Sequence, residues 1–156
     1  MASKRSGGAA DKRVIALNKR ARHRYEVLDT LEAGLALVGT EVKTLRDGKV
    51  SLDEAYGRVD GDEVYLVGAY IEEYAQGNRL NHEPTRKRKL LLRRREIRRI
   101  QSRVIQRGLT LVPLSLYWSD RGLAKLELGI CRGKKVGDKR EADKKREARQ
   151  EIRQQI

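Results

Sequence analysis

The sequence predicts a mainly β fold, and three observations carry that prediction. Two β-prone runs flank Asp60-Gly61, two more flank Ser119-Asp120-Arg121-Gly122, and a long β-branched, aromatic and aliphatic run over residues 25–38 contains a glycine, Gly34. An Asp-Gly step between β-prone runs is the strongest short-range hairpin signal a sequence offers. A glycine inside a long strand marks a bend or bulge, the device by which a sheet curls.

Each element follows in order. Residues 1–13, with Ser3, Ser6, Gly7 and Gly8 among Lys and Arg, have no apolar period and read as a disordered basic arm. The folded domain is expected over 14–132. Tyr25 to Val38 reads as one long strand bent or bulged at Gly34. From Gly39 to Arg46 a short helix is expected, with Thr40 as N-cap, Glu41 in its first turn, Val42 and Leu45 three apart, and Gly48 as a stop. Ala55–Val59 and Glu63–Gly68 form the first hairpin. Residues 71–88, with Gly77, Asn78, Asn81 and Pro84, show no period and read as a long polar loop. Ile97, Ile100 and Val104 then place an apolar stripe on a second helix whose Arg94, Arg95, Arg98 and Arg99 project elsewhere, with Gly108 as terminator. Leu109–Trp118 and Leu123–Cys131 make the second hairpin, with Ala124, Leu126, Leu128 and Ile130 inward and Lys125 and Glu127 outward. Several short strands with two or three flanking helices suit a closed antiparallel barrel of the OB-fold kind, which removes exposed strand edges and often binds nucleic acid on its face.

Lys and Arg number 36 against 22 Asp and Glu, a net charge of +14, so a polyanion is the natural partner. The distribution says more than the total. Residues 1–24 carry net +7, 25–85 net −8, 86–131 net +10 and 132–156 net +5. An acidic stretch bracketed by basic ones predicts a sided surface, one face binding and another not. No run of about 18 apolar residues and no signal-peptide core occurs, so a soluble cytoplasmic protein is expected, without a membrane partner. A lone cysteine, Cys131, with His23 and His82 elsewhere, offers neither an internal disulfide nor zinc-ligand spacing. No cofactor or metal is expected.

Enzymatic chemistry is not announced. No nucleophile–base pair or phosphate loop stands out, and the loop histidine His82 and the basic-flanked His23 have plainer readings than general-base work. The rival is a Mg²⁺-dependent nuclease using Asp53, Glu54, Asp60, Asp62 and Glu63, although acidic residues beside a turn are commonplace. Residues 133–156 form a basic C-terminal tail with helix propensity, including Glu141 four residues before Lys145. Only Ala148, Ile152 and Ile156 align as a stripe, so the tail is expected to be disordered when free and helical against a partner. A solvated extension that merely aids solubility is the alternative.

Seven motifs in order carry a resemblance. They are residues 16–23 (Ala-Leu-Asn-Lys-Arg-Ala-Arg-His), Glu32-Ala33-Gly34, residues 39–46, residues 88–92, Leu114-Ser115-Leu116-Tyr117, Gly133-Lys134-Lys135 and Asp138-Lys139-Arg140. Together they span about residues 14–150 and resemble the SsrA-binding protein (small protein B) family. The resemblance implies an OB-fold that binds the tRNA-like domain of transfer-messenger RNA (tmRNA) and brings it, alanylated and with elongation factor Tu, to the empty A site of stalled ribosomes.

By the family pattern, Glu32, Leu91 and Lys125 match positions important for tmRNA binding, with Asn18, Lys19 and Arg20 near the same face. Gly133, Lys134, Lys135, Asp138, Lys139 and Arg140 match the tail that enters the decoding centre and mRNA channel and becomes helical there. A monomer without catalytic activity is implied. Family members often carry His or Tyr immediately before the Asp-Lys-Arg triplet, where this chain has Gly137, so a ring to stack on ribosomal RNA is not expected from that position itself. Without the resemblance, Leu91 reads as core, Glu32 as a strand-end charge, and Lys125 equally as a phosphate contact or a solvated side chain.

Overall fold

The computed structural model describes residues 13–77 and 80–133. Of the expected basic arm over 1–13, residues 1–12 lie outside the described residues, as do the tail residues Lys134, Lys135, Asp138, Lys139 and Arg140, while Arg13 itself begins the first strand. Within them the chain is mainly β with a few helices. In chain order the elements are β1 (Arg13–Leu17), α1 (Ala21–Arg24), β2 (Tyr25–Leu35), α2 (Gly39–Arg46), β3 (Val50–Ser51), β4 (Tyr56–Asp60), β5 (Glu63–Val67), β6 (Tyr70–Ile71), β7 (Arg88–Leu91), α3 (Arg94–Gln101) with a π-helical turn over Ser102–Gln106, β8 (Thr110–Trp118) and β9 (Ala124–Gly133).

The main sheet runs β9-β2-β7-β5-β4-β8-β1, and β8 also pairs with β9. All its pairings are antiparallel. The succession of partners therefore leaves β9 through β2 and returns to it through β8. The link between β4 and β8 is the single pair Gly57↔Leu111. There a Cβ on Gly57 would stand 2.5 Å from Leu111 Cβ, so only a glycine allows the strands this close. The small β3–β6 pair forms a separate sheet.

Inward alternation builds the core. Leu31 and Ala33 of β2, Val64 and Leu66 of β5, Leu90 of β7, and Leu126, Leu128 and Ile130 of β9 are all buried. Helix α3 adds fully buried Ile100, with Ile97 and Val104 packed against the same cluster. A smaller cluster of Ala21, Val112, Leu114 and Cys131 lies under α1, so β8 is covered on both faces over much of its length. Pro113 sits mid-strand where β8 and β9 slip register between Glu127 and Leu128, a bulge that accommodates a residue without an N–H.

Several local expectations shift. The bulge in β2 falls at Leu28, which is skipped between Ile130↔Asp29 and Cys131↔Val27, and not at Gly34. Gly34 pairs with Leu91, and it is glycine because a Cβ there would lie 3.1 Å from Leu91 Cβ. In the first hairpin Asp60 pairs with Glu63, so the turn residues are Gly61 and Asp62, with Gly61 at φ +61°. Val38, in extended conformation, caps α2 in place of Thr40, and its N–H donates to Glu41 Oε1 at 3.0 Å. The Thr40 hydroxyl is instead 2.9 Å from His82 Nδ1, while His82 Nε2 donates to the Ile71 carbonyl at 2.9 Å. That histidine is a buried tie between α2, the polar loop and β6.

Beside it lies a buried charge network that periodicity does not reveal. Glu41 and Arg88 are both fully buried, and Arg88 Nε donates to Glu41 Oε2 at 2.6 Å. Arg86 Nη2 donates to Glu41 Oε1 at 2.7 Å. The remaining Arg88 donors reach the carbonyls of Ala69, Arg86 and Pro84. Burial alone would raise the Glu41 pKa; the hydrogen bonds from Arg86, the Val38 N–H and Arg88 outweigh it and hold the carboxyl below its ordinary value.

Candidate nucleic-acid interface

Register places the candidate residues on the outward face of the sheet. Cross-strand partners run Val14↔Tyr117, Tyr117↔Lys125, Lys125↔Gly34 and Gly34↔Leu91, one row over β1, β8, β9, β2 and β7. Four inter-strand steps make that row roughly 19 Å long. The neighbouring outward row is Leu17↔Ser115, Ser115↔Glu127 and Glu127↔Glu32. Between the two rows, Leu116, Leu126 and Ala33 face the core.

Glu32, Leu91 and Lys125 are brought together in one open groove of about 740 Å³, also lined by Gly34, Lys89, Arg93, Arg94 and Ile97. Leu91 is 53 % exposed, which overturns the core-packing reading of that leucine. It sits on an outward position of β7, and glycine at 34 leaves space for it beside β2. Glu32 accepts a hydrogen bond from the hydroxyl of Tyr117, a residue 3 % exposed. Burial and that carboxylate together raise the Tyr117 pKa well above the ordinary phenol value. Ser115 Oγ likewise donates to Glu127 Oε1 at 3.4 Å. At the rim, Lys89 Nζ lies 2.6 Å from Glu63 Oε2 and the Tyr65 hydroxyl donates to Glu63 Oε1 at 2.6 Å. Lys89 first, then Tyr65, holds the Glu63 carboxyl below its usual value.

Asn18, Lys19 and Arg20 do not line this groove. Asn18 Nδ2 donates to the Pro113 carbonyl at 2.9 Å and lies 3.4 Å from that of Leu52, so the side chain anchors the turn after β1. Lys19 and Arg20 are exposed on that turn. Gly133 ends β9 opposite Tyr25, where the tail departs. Tyr117, Lys89 and Arg93 are groove or supporting residues to which the sequence pattern assigned no role, and Gly34, expected as a strand bend, instead makes room for Leu91. Counting outward from the Ser119–Gly122 turn of the second hairpin is the signal that places Tyr117 opposite Lys125.

The acidic residues of the nuclease alternative are dispersed. Asp53 and Glu54 line a different pocket with Arg24 and Tyr56, whereas Asp62 and Glu63 rim the groove. Among the described residues no three His, Cys, Asp or Glu side chains form a group that would hold a metal ion. No described helix is long and apolar enough to cross a membrane.

A sheet face with a lysine near its middle, an exposed leucine at one end of the row and an arginine-rich helix at its edge has the make-up of a small mainly β protein that holds a nucleic acid. Comparison with known proteins identifies which one it resembles. The family described as "SmpB protein" matches residues 15–156. An SsrA-binding protein of Rhizobium leguminosarum is 52 % identical over 147 residues, covering 94 % of this chain and 92 % of that one. One from Agrobacterium fabrum is 50 % identical over 147 residues, covering 94 % and 91 %. A chain in the solved structure "tmRNA-SmpB: a journey to the center of the bacterial ribosome" superposes with a TM-score of 0.67 at 52 % identity, covering 81 % of this chain and 92 % of that chain. The chain belongs to the SmpB, or SsrA-binding protein, family.

Proposed function

We propose that this protein binds the tRNA-like domain of tmRNA through the groove of Glu32, Leu91 and Lys125 and delivers it to the empty A site of stalled ribosomes. The observation that carries the reading is the meeting of those three side chains, distant in sequence, in one groove on the outward face. Lys125 supplies a phosphate contact, Leu91 an apolar platform for an unpaired base or ribose, and Glu32 an acceptor for a base amino group or ribose hydroxyl. Lys19 and Arg20 add charge at the far end of the face.

In this reading the folded part is an OB-type barrel over 14–132, supported by the strand pairings that return to β9. The segment from Gly133, through Lys134, Lys135, Asp138, Lys139 and Arg140, enters the decoding centre and mRNA channel. Elongation factor Tu joins only through alanyl-tmRNA, and the protein acts as a cytoplasmic monomer without catalysis of its own.

The test is a competition gel shift between tmRNA and bulk tRNA at two salt concentrations, with Leu91→Ala and Lys125→Ala beside wild type. The expected result is preference for tmRNA and a loss of about tenfold or more in each variant. Equal affinity for the two RNAs, or variants that bind like wild type, refutes the groove. Removal of residues 134–156 is expected to leave tmRNA binding intact and to abolish tagging of nascent chains; loss of RNA binding in that truncation refutes the division of labour.

A further inference from the structure

The first turn of α3 carries charge of the wrong sign for a helix start. Arg93 at the N-cap and Arg94 and Arg95 behind it place three cations where the helix dipole is already positive, with Glu96 as the only local relief. Arg94 and Arg98 stand four residues apart, as do Arg95 and Arg99, and like charges at that spacing repel. Two of the arginines in this region are compensated: Arg99 and Arg103 both reach the carboxylate of Asp29, which fastens the helix to β2. Arg94, Arg95 and Arg98 are exposed and make no ion pair among the described residues. A local arrangement this unfavourable, with no gain inside the fold, points to a gain outside it.

The geometry supplies the partner. Arg93 and Arg94 line the groove beside Leu91, and Arg95 and Arg98 are exposed further along the same helix without lining it, Arg98 one turn beyond Arg94. Arginine forks match phosphate oxygens. We propose that α3 is a second RNA-docking strip, in which Arg95 and Arg98 grip the phosphate backbone of the same RNA whose unpaired region occupies the groove. This rests on the groove reading above and extends its footprint to a paired, A-form segment, which a protein meets chiefly through backbone and shape.

The strip makes a quantitative claim. Each phosphate neutralised on a duplex steepens the dependence of log affinity on log salt by about 0.9, so two contacts contribute a slope of about 1.8. Full-length Arg95→Gln with Arg98→Gln, which keeps good helix formers and leaves the Asp29 pairs intact, is titrated with a tRNA-like-domain transcript from 50 to 200 mM salt. Over that fourfold range the wild type is expected to lose roughly twelvefold more affinity than the variant. The variant's melting temperature is expected to equal or exceed wild type, because repulsion has been relieved. An unchanged salt slope, or an affinity loss of the same size at every salt concentration, overturns the strip while leaving the groove standing. Failure of the wild-type protein to bind the transcript at all would overturn the groove reading itself, and with it this extension.

Discussion

Replacing Glu41 by Gln tests whether the buried network of α2 and β7 is what holds the polar loop to the sheet. The substitution keeps size and one acceptor oxygen for the Val38 N–H, removes the charge, and replaces the oxygen that accepts from Arg88 Nε and Arg86 Nε by an NH2 that cannot accept. Arg88 is then left with a fully buried guanidinium whose other partners are neutral carbonyls. Breaking one side of a buried ion pair costs about 3–5 kcal/mol, and the retained amide oxygen sets the expectation at the lower end, about 3 kcal/mol. For a domain of this size that is a fall in melting temperature on the order of 10 °C. Urea unfolding at pH 7 measures it, and acid titration checks its origin. The Glu41 carboxyl has its pKa depressed in the folded state, so its contribution is fully present above the unfolded-state value and is lost as pH falls through the folded-state value. The stability gap between wild type and variant should therefore narrow on acidification below about pH 4.5. A variant within about 1 kcal/mol of wild type at pH 7, or a gap that does not change in acid, refutes the reasoning.

Four further outcomes follow from other parts of the fold. Gly57→Ala places a Cβ 2.5 Å from Leu111 Cβ at the sole β4–β8 pair and should cost about 1–3 kcal/mol by thermal melting. Gly34→Ala would bring a Cβ to 3.1 Å from Leu91 Cβ, which the paired backbone holds in place, so it should cost about 1–2 kcal/mol by thermal melting and weaken RNA binding in a gel shift by displacing Leu91. Tyr117→Phe removes the hydrogen bond to Glu32 and should cost about 0.5–1.5 kcal/mol at pH 7. Because the Tyr117 pKa is raised on folding, wild-type stability should also fall above about pH 10, and that part of the alkaline loss should vanish in the variant. Burial pushes the Cys131 thiol up to about 11, against a smaller opposing pull from the Arg22 charge. At pH 8 a thiol reagent should therefore modify Cys131 only as fast as the protein unfolds; rapid labelling of folded protein would contradict the burial.

What was legible in the sequence was whatever a period or a turn residue encodes. The second hairpin, the α3 stripe of Ile97, Ile100 and Val104, and the α2 span Gly39–Arg46 all lie where their patterns placed them. Glu41 and Arg88, 47 positions apart, become partners only when the polar loop returns to β7, and no local signal marks either as buried. Thr40 illustrates the same limit, since a good capping residue was diverted to His82 by a contact 42 residues away. The groove was half legible. Alternation placed Lys125 outward, but the exposure of Leu91 depends on its pairing with Gly34, which composition cannot reveal. The bulge assigned to Gly34 shows why: a strand glycine signals either a bulge or a close approach, and only the partner strand decides.

The carboxylates at the centre of this face run against its overall charge, and their cost is part of what the face does. Glu32 and Glu127 stand directly opposite each other on β2 and β9, a like-charge pairing that destabilises a sheet. Hydroxyl donors from Tyr117 and Ser115 partly relieve it, and Lys125 stands one outward position away from Glu127. A face built only to hold phosphate would carry lysine or neutral residues there. In the proposed function, a negative centre ringed by cations would repel a uniform backbone laid across it and would accept hydrogen bonds from base amino groups or ribose hydroxyls of a strand whose phosphates reach the rim. Attraction and discrimination would then come from different side chains. Replacing Glu32 by Gln should consequently strengthen binding to plain duplex RNA and erode preference for tmRNA, the opposite of what loss of a simple attractive contact would do. If the substitution weakens both equally, the carboxylate is a structural charge and selectivity must come from shape alone.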